Sequence, residues 1–137
     1  MSAKTNAAVV RRFIDQAWNV KNPAVADELL AASYRYHGSD HAPGPAIARE
    51  LIVLFATAFP DAKATIDDLV ADETSVAIRW TTYATHLGDF GGLPPTGKKV
   101  QMNGMEFFRL ADGRITERWS NSDTLGLLQQ LGVVSPA

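Results

Sequence analysis

The stretch Ile115-Thr-Glu-Arg-Trp-Ser-Asn-Ser-Asp123-Thr-Leu-Gly-Leu-Leu-Gln-Gln-Leu-Gly132 begins with the periodicity of a strand and ends with that of a helix. Alternate positions would share one face of the strand: Ile115, Glu117, Trp119 and Asn121. Leucines then recur at helical spacing: Leu125, Leu127, Leu128 and Leu131. Asp123 has the parity of the strand face and stands where the period changes.

Asp123 has two interpretations at this junction. Its carboxylate can cap the helix by accepting hydrogen bonds from the first free N–H groups. It can also act as a general acid/base that faces a pocket under the sheet. An apolar wall, with Trp119 as one part, would make the carboxylate a stronger base, whereas the helix N-terminus would hold it ionised. The two roles are compatible.

Composition limits the classes of function. The chain has 137 residues, a formal net charge of -2 and no cysteine. The length predicts a single domain over residues 1–137. The charge and the absence of a basic stretch argue against a nucleic-acid partner. Without an apolar leader or membrane-length segment, we expect a cytoplasmic chain with no signal peptide and no membrane partner.

The order of elements predicts an α+β fold. Helices are expected at about residues 4–18, 23–30 and 45–59, with a short strand near residues 34–37. Thr5 or Asn6 would cap the first helix. Longer strands follow at residues 64–70, 75–87, 98–110 and from 115 onward. Helices segregated from an antiparallel sheet predict a cone-shaped curved sheet closed on one side, with an apolar interior for a small ligand.

Two further ionisable residues are candidates for acid/base chemistry. His86 would share a strand face with Trp80 if no bulge intervenes, and it would then polarise a substrate oxygen; equally, a backbone carbonyl could satisfy it. Glu106 has the parity of Met102 and Phe108, so it is either a paired carboxylate on an apolar face or an outward-facing residue. Its possible partners are Arg79, Arg118 and His86.

The loop histidines do not predict a metal site. His37, Asp40 and His41 lie in a Gly/Pro-rich segment, and the spacing places no third ligand beside the histidines. No cofactor is expected.

Several motifs occur in a specific order: Ala58-Phe-Pro-Asp61, Val76-Ala-Ile-Arg-Trp80, Thr85-His-Leu-Gly88, Gly92-Leu-Pro-Pro-Thr-Gly-Lys98, Phe108-Arg-Leu-Ala-Asp-Gly-Arg-Ile115, Glu117-Arg-Trp119 and Leu128-Gln-Gln-Leu-Gly132. With them, the chain resembles the SnoaL-like polyketide cyclases, or ester cyclases, of the nuclear-transport-factor-2-like superfamily. The resemblance runs from the first helix to Gly132.

The resemblance implies an α+β cone, a homodimer and a cofactor-free intramolecular aldol condensation of an aromatic polyketide ester. Asp123 matches the family's acid/base at the start of the last helix, and His86 matches its strand histidine. Glu106 departs from the pattern, because the best-known member has a pocket histidine there. Tyr36 and His37 fall in the region that lines or covers the pocket mouth. The expected substrate-binding residues are Tyr36, His37, Trp80, Met102, Phe108 and Trp119.

The leading hypothesis is a small cyclase or isomerase that shifts a proton next to the carbonyl of an apolar or aromatic ligand. Asp123 would be the base, and His86, with Glu106, would stabilise or protonate the oxygen. One alternative is a non-catalytic module that binds an apolar metabolite. Another is an epoxide hydrolase in which Asp123 activates water, which would need a second carboxylate or an arginine beside Asp123.

Overall fold

Four α-helices and a five-stranded sheet make up residues 2–38 and 40–135, the part of the chain that the computed structural model describes. The elements follow the chain as α1 (Ala3–Ile14), a π-helical turn (Asp15–Asn19), α2 (Val25–Leu29), β1 (Leu30–Tyr36), α3 (Ala46–Ala58), β2 (Lys63–Ala71), β3 (Ser75–Thr85), β4 (Lys99–Ala111), β5 (Arg114–Ser122) and α4 (Thr124–Gln130). The α+β class predicted from the sequence is confirmed.

The first helix begins at Ala3, close to the predicted start, but its N-cap is not one of the predicted residues. The Ser2 hydroxyl accepts a hydrogen bond from the Thr5 N–H at 3.0 Å, so Ser2 is the N-cap and the prediction of Thr5 or Asn6 is wrong. Asn6 is instead buried, and its side-chain amide donates to the Asp72 carbonyl at 3.1 Å. The capping residue was missed because several polar residues precede the apolar stripe.

The sheet has the strand order β1-β5-β4-β3-β2. Strands β2 to β5 are antiparallel neighbours, whereas β1 lies parallel to β5. The sheet is therefore mixed and open, with β1 and β2 at its edges, rather than purely antiparallel. Since β1 and β5 are far apart in the chain, no hairpin constrains their relative direction.

A β-bulge in β5 changes which residues face inward. Leu110 pairs with Ile115, but Arg109 pairs with Glu117, so Thr116 is one extra residue on β5. Ile115 and Arg118 are both buried as a result. The prediction that Ile115 and Trp119 lie on one face is wrong, because the bulge reverses the alternation between them.

The core lies between the helices and the inner face of the sheet. Fully buried side chains come from both layers: Val10, Phe13, Leu30, Ile52, Val76 and Ile115. On β4 every second side chain is buried, including that of Glu106. The helices thus cover the inner face, and the space they leave open is the candidate site.

Candidate active site

A cavity of about 180 Å³ lies between the helices and the inner face of the sheet. Its apolar wall includes Trp18, Leu51, Phe55, Phe59, Trp80 and Phe90. Its polar wall lies where the end of β5 meets the first half of β4, and it includes Asn103, Ser120, Ser122, Asp123 and Thr124. An apolar cavity of about 150 Å³ already binds benzene, so this space is sufficient for an aromatic ring.

Asp123 caps α4 and also lines this cavity. Its Oδ1 accepts a hydrogen bond from the Gly126 N–H at 2.8 Å, which is the predicted N-cap contact. Its own N–H donates to the Asn103 carbonyl at 3.0 Å, which fixes the junction against β4. Asp123 lines the cavity and is exposed, so this end of the cavity is its mouth.

Glu106 and Arg118 form a buried ion pair deeper in the cavity. Arg118 Nε donates to Glu106 Oε1, and Nη2 contacts the same oxygen. The side chains are only 2% and 7% exposed. The pair is diagonal on neighbouring strands, since Glu106 lies opposite Ser120 and Arg118 opposite Phe108. Of the three partners considered from the sequence, Arg118 is the one that Glu106 has.

Aromatic rings surround the Arg118 guanidinium. Its central carbon lies 4.8 Å from the Tyr36 ring centre and 5.9 Å from that of Trp18. Burial opposes its charge, but the Glu106 carboxylate, with Tyr34 and Tyr36, outweighs burial and raises the pKa of Arg118. Burial raises the pKa of Tyr34, against the opposing effect of Arg118, so the Tyr34 phenol stays neutral. The inner end of the cavity therefore holds a permanent cation, ion-paired with Glu106.

His86 does not face the cavity, in contrast to the prediction. It is fully buried behind Phe59 and Phe90, with ring centres at 5.5 and 6.4 Å. Its Nδ1 accepts a hydrogen bond from the Thr96 N–H at 3.1 Å and lies 3.0 Å from the Thr96 hydroxyl. β3 ends at Thr85, so the strand alternation that would place His86 beside Trp80 no longer applies. His86 holds the loop that carries Phe90.

Three predicted substrate-binding residues lie outside the cavity. Trp119 lies on the outer face because of the β5 bulge, and His37 stacks on it with ring centres 4.3 Å apart. His37 Nε2 also lies 2.7 Å from a carboxylate oxygen of Glu117. Phe108 is fully buried and packs edge-on against Phe13 at 6.4 Å, so it belongs to the core.

The other predicted pocket residues do come together. Tyr36, Trp80 and Met102 line the same cavity as Asp123 and Glu106. Lining residues missed by the sequence analysis include Lys21, Arg118, Ser120 and Ser122. The last three have the wrong parity for a regular β5 strand, and only knowledge of the bulge would have identified them. No sequence signal distinguishes Lys21.

No metal centre and no membrane-spanning helix is found among residues 2–38 and 40–135. No group of three or more histidine, aspartate or glutamate side chains there is arranged to hold a metal ion. Across the same residues, every helix is too short or too polar to cross a membrane.

Comparison with known proteins identifies the family. A model of the SnoaL-like polyketide cyclases matches residues 8–131. The chain is 26% identical over 134 residues to the aklanonic acid methyl ester cyclase DnrD of Streptomyces peucetius, covering 93% of this chain and 91% of that one.

Solved structures agree with this match. TsrD from Streptomyces laurentii superposes with a TM-score of 0.89 at 26% identity, covering 98% of this chain and 99% of that one. IdmH from Streptomyces antibioticus gives a TM-score of 0.78 at 29% identity, over 93% and 98% of the two chains. With the family model matching nearly the whole chain, the protein belongs to the SnoaL-like polyketide cyclase family.

Proposed function

We propose that the protein is a cofactor-independent cyclase that removes a proton next to a carbonyl group and closes a ring by intramolecular aldol addition. The observation that carries this proposal is the position of Asp123. Its carboxylate lies on the wall of a largely apolar cavity, with Oδ1 held by the Gly126 N–H. Among the described residues no hydrogen bond engages Oδ2, so that oxygen is the one to accept the substrate proton.

The polar wall supplies donors for the developing enolate. The Ser120, Ser122 and Thr124 hydroxyls lie at the Asp123 end of the cavity. These neutral donors replace His86 in the proposed role, since His86 lies behind Phe59 and Phe90. The enolate carbon then attacks a second carbonyl of the same molecule, and Asp123 returns its proton to the new alkoxide.

Glu106 acts in this scheme through Arg118. A carboxylate in a buried ion pair with a guanidinium is a strong hydrogen-bond acceptor and a poor mobile base. Glu106 therefore fixes the Arg118 side chain against Tyr36, at the end of the cavity away from the mouth. We assign it as a positioning residue.

The substrate class proposed is an aromatic polyketide ester. The support is the aromatic apolar wall and the name of DnrD, an aklanonic acid methyl ester cyclase. Incubating the protein with aklanonic acid methyl ester in deuterated water is expected to give the ring-closed product and deuterium at the acidic carbon. Chromatography with mass detection measures both. Tight binding with neither exchange nor cyclisation would contradict the proposal and favour a non-catalytic binding module.

Epoxide hydrolysis is a second candidate, favoured by one observation. Arg118 and a second carboxylate, Glu106, line the same cavity as Asp123, although at its inner end and not directly beside Asp123. Arg79 takes no part, because it bonds Asp68 Oδ2 on the outer face at 2.7 and 2.9 Å. Conversion of an epoxide in ¹⁸O-water to a labelled diol, without any ring closure, would select this reaction instead.

We also propose that the protein is a homodimer formed through the outer face of the sheet. Val70, Ala77, Phe107 and Trp119 lie in register across four strands, and Met105 is 61% exposed beside them. A continuous apolar row of this kind is typical of a surface that another chain covers.

Replacing Met105 by glutamate is expected to raise the dimer dissociation constant by about 100-fold or more, because two-fold symmetry places two new charges in one interface. Sedimentation velocity over a concentration series measures this. Val53→Glu is the matched control, since Val53 is 52% exposed on α3, away from the sheet. A wild-type monomer, or equal effects of both variants, would contradict the proposed interface.

A further inference from the structure

Lys21 lines the cavity but has no part in the proton transfer proposed for Asp123. It follows the π-helical turn and has a φ of +63°, in the left-handed region where glycine is usual. The Asn22 N–H donates to the Gln16 carbonyl at 2.9 Å and so ends the turn as a C-terminal cap would. Lysine is less favourable than glycine at this φ, but its side chain places a cation at the cavity.

Main-chain carbonyls aim the Lys21 ammonium. Its Nζ donates to the Asn19 carbonyl at 3.1 Å and to the Ala62 carbonyl at 3.0 Å. An ammonium has three donors, so a third remains beyond these two bonds. Burial and the nearby Lys63 lower the pKa of Lys21, although Asp61 acts in the opposite direction. A partly buried cation that is repelled by a second one gains from binding an anion.

Lys21 and Asp123 lie on opposite sides of the cavity. Ala64, Thr82 and Met102 form one row across β2, β3 and β4. Lys21 donates to the Ala62 carbonyl, which lies just before β2 at one end of that row. Asp123 follows β5, the strand beyond β4 at the other end. Three strand spacings separate the two sides, about 14 Å along the sheet. Trp80 and Thr82 line the cavity between them.

We propose that Lys21 binds an acidic oxygen, such as a carboxylate, at the end of a flat aromatic ligand opposite the carbon presented to Asp123. Lys21 is then a specificity-determining residue of the cavity. The assignment of the reacting end rests on the proposed function, whereas the recognition of the acidic end does not.

Binding of two probes tests this proposal independently of turnover. Anthraquinone-2-carboxylate and its methyl ester have the same rings, and only the first carries a charge. Each dissociation constant is measured by quenching of tryptophan fluorescence, since Trp18 and Trp80 line the cavity. Lys21→Met is expected to raise the dissociation constant of the carboxylate about 10-fold and to leave that of the ester unchanged. The ratio of the two constants should therefore change by about 10-fold.

Two further variants serve as controls for the binding measurement. Lys63→Met removes the neighbouring exposed cation, which does not line the cavity, and should leave the ratio at the wild-type value. Lys21→Gln removes the charge but keeps an amide that can donate to the two carbonyls. It is used in place of Lys21→Met if Lys21→Met lowers the melting temperature. An unchanged ratio in the Lys21 variants, an equal change in Lys63→Met, or a wild type that binds neither probe would overturn the proposal. Asp123→Asn removes the base and should keep the wild-type ratio of the two dissociation constants. Binding at Lys21 can therefore be confirmed even if the catalytic proposal for Asp123 fails.

Discussion

Asp123→Asn is expected to lower the turnover number by about 10²–10⁴-fold, the range that a positioned general base contributes. Asparagine has nearly the shape of aspartate, but its amide cannot take a proton from carbon. The effect should fall on the chemical step, so the affinity for substrate should change little. The assay follows initial rates of cyclisation together with deuterium incorporation.

The fold should tolerate this change. Asparagine is as good an N-cap as aspartate, so its side-chain oxygen can keep the bond from the Gly126 N–H. The melting temperature should therefore stay close to that of the wild type. A loss of turnover that came with a large drop in melting temperature would indicate a structural cap and not a base.

Asp112→Asn is the matched control for the loss of a carboxylate. Asp112 is exposed in the β4–β5 hairpin with a φ of +51°, a conformation that asparagine also accepts. It makes the same chemical change outside the cavity, and turnover should be unaffected. If Asp123→Asn kept wild-type turnover, Asp123 would not be the base.

Glu106→Leu is expected to lower the free energy of unfolding by about 3–5 kcal/mol, which is typical when one partner of a buried ion pair is removed. Arg118 would then remain buried among Tyr34, Tyr36 and Trp18 with its charge uncompensated. Urea denaturation followed by circular dichroism gives this free energy.

The double variant Glu106→Leu/Arg118→Met separates the charge from the packing. With both charges replaced by apolar side chains, most of the lost stability should return, since such replacements are often neutral or stabilising. A double variant as unstable as Glu106→Leu alone would show that packing around position 106 dominates. Surface pairs offer a contrast, because Arg79→Ala removes an exposed contact to Asp68 and should leave the stability almost unchanged.

The sequence predicted most of the fold because local periodicity determines most of its elements. The long strands and α3 were placed within a few residues, and Asp123 was recognised as the residue that starts the last helix. The parallel pairing of β1 with β5 was not predicted, since it depends on contacts between distant parts of the chain.

The site was predicted only where alternation is regular. Glu106 and Met102 face inward as the β4 pattern indicated, whereas Trp119 does not, because Thr116 interrupts β5. His86 lies just beyond the end of β3, where strand parity no longer determines direction. Lys21 reaches the cavity from a turn whose conformation no pattern reveals.

The single extra residue at Thr116 also determines which side chains in the second half of β5 face the cavity and which face outward. Arg118 and Ser120 line the cavity, while Trp119 lies on the outer face. If the proposed function and dimer are correct, selection on substrate and selection on assembly act on alternating positions of one short segment. An insertion or deletion there would exchange the two sets at once. Relatives that differ by one residue in this strand should therefore be compared by the direction in which their side chains face. A column-by-column alignment would pair inward-facing residues with outward-facing ones.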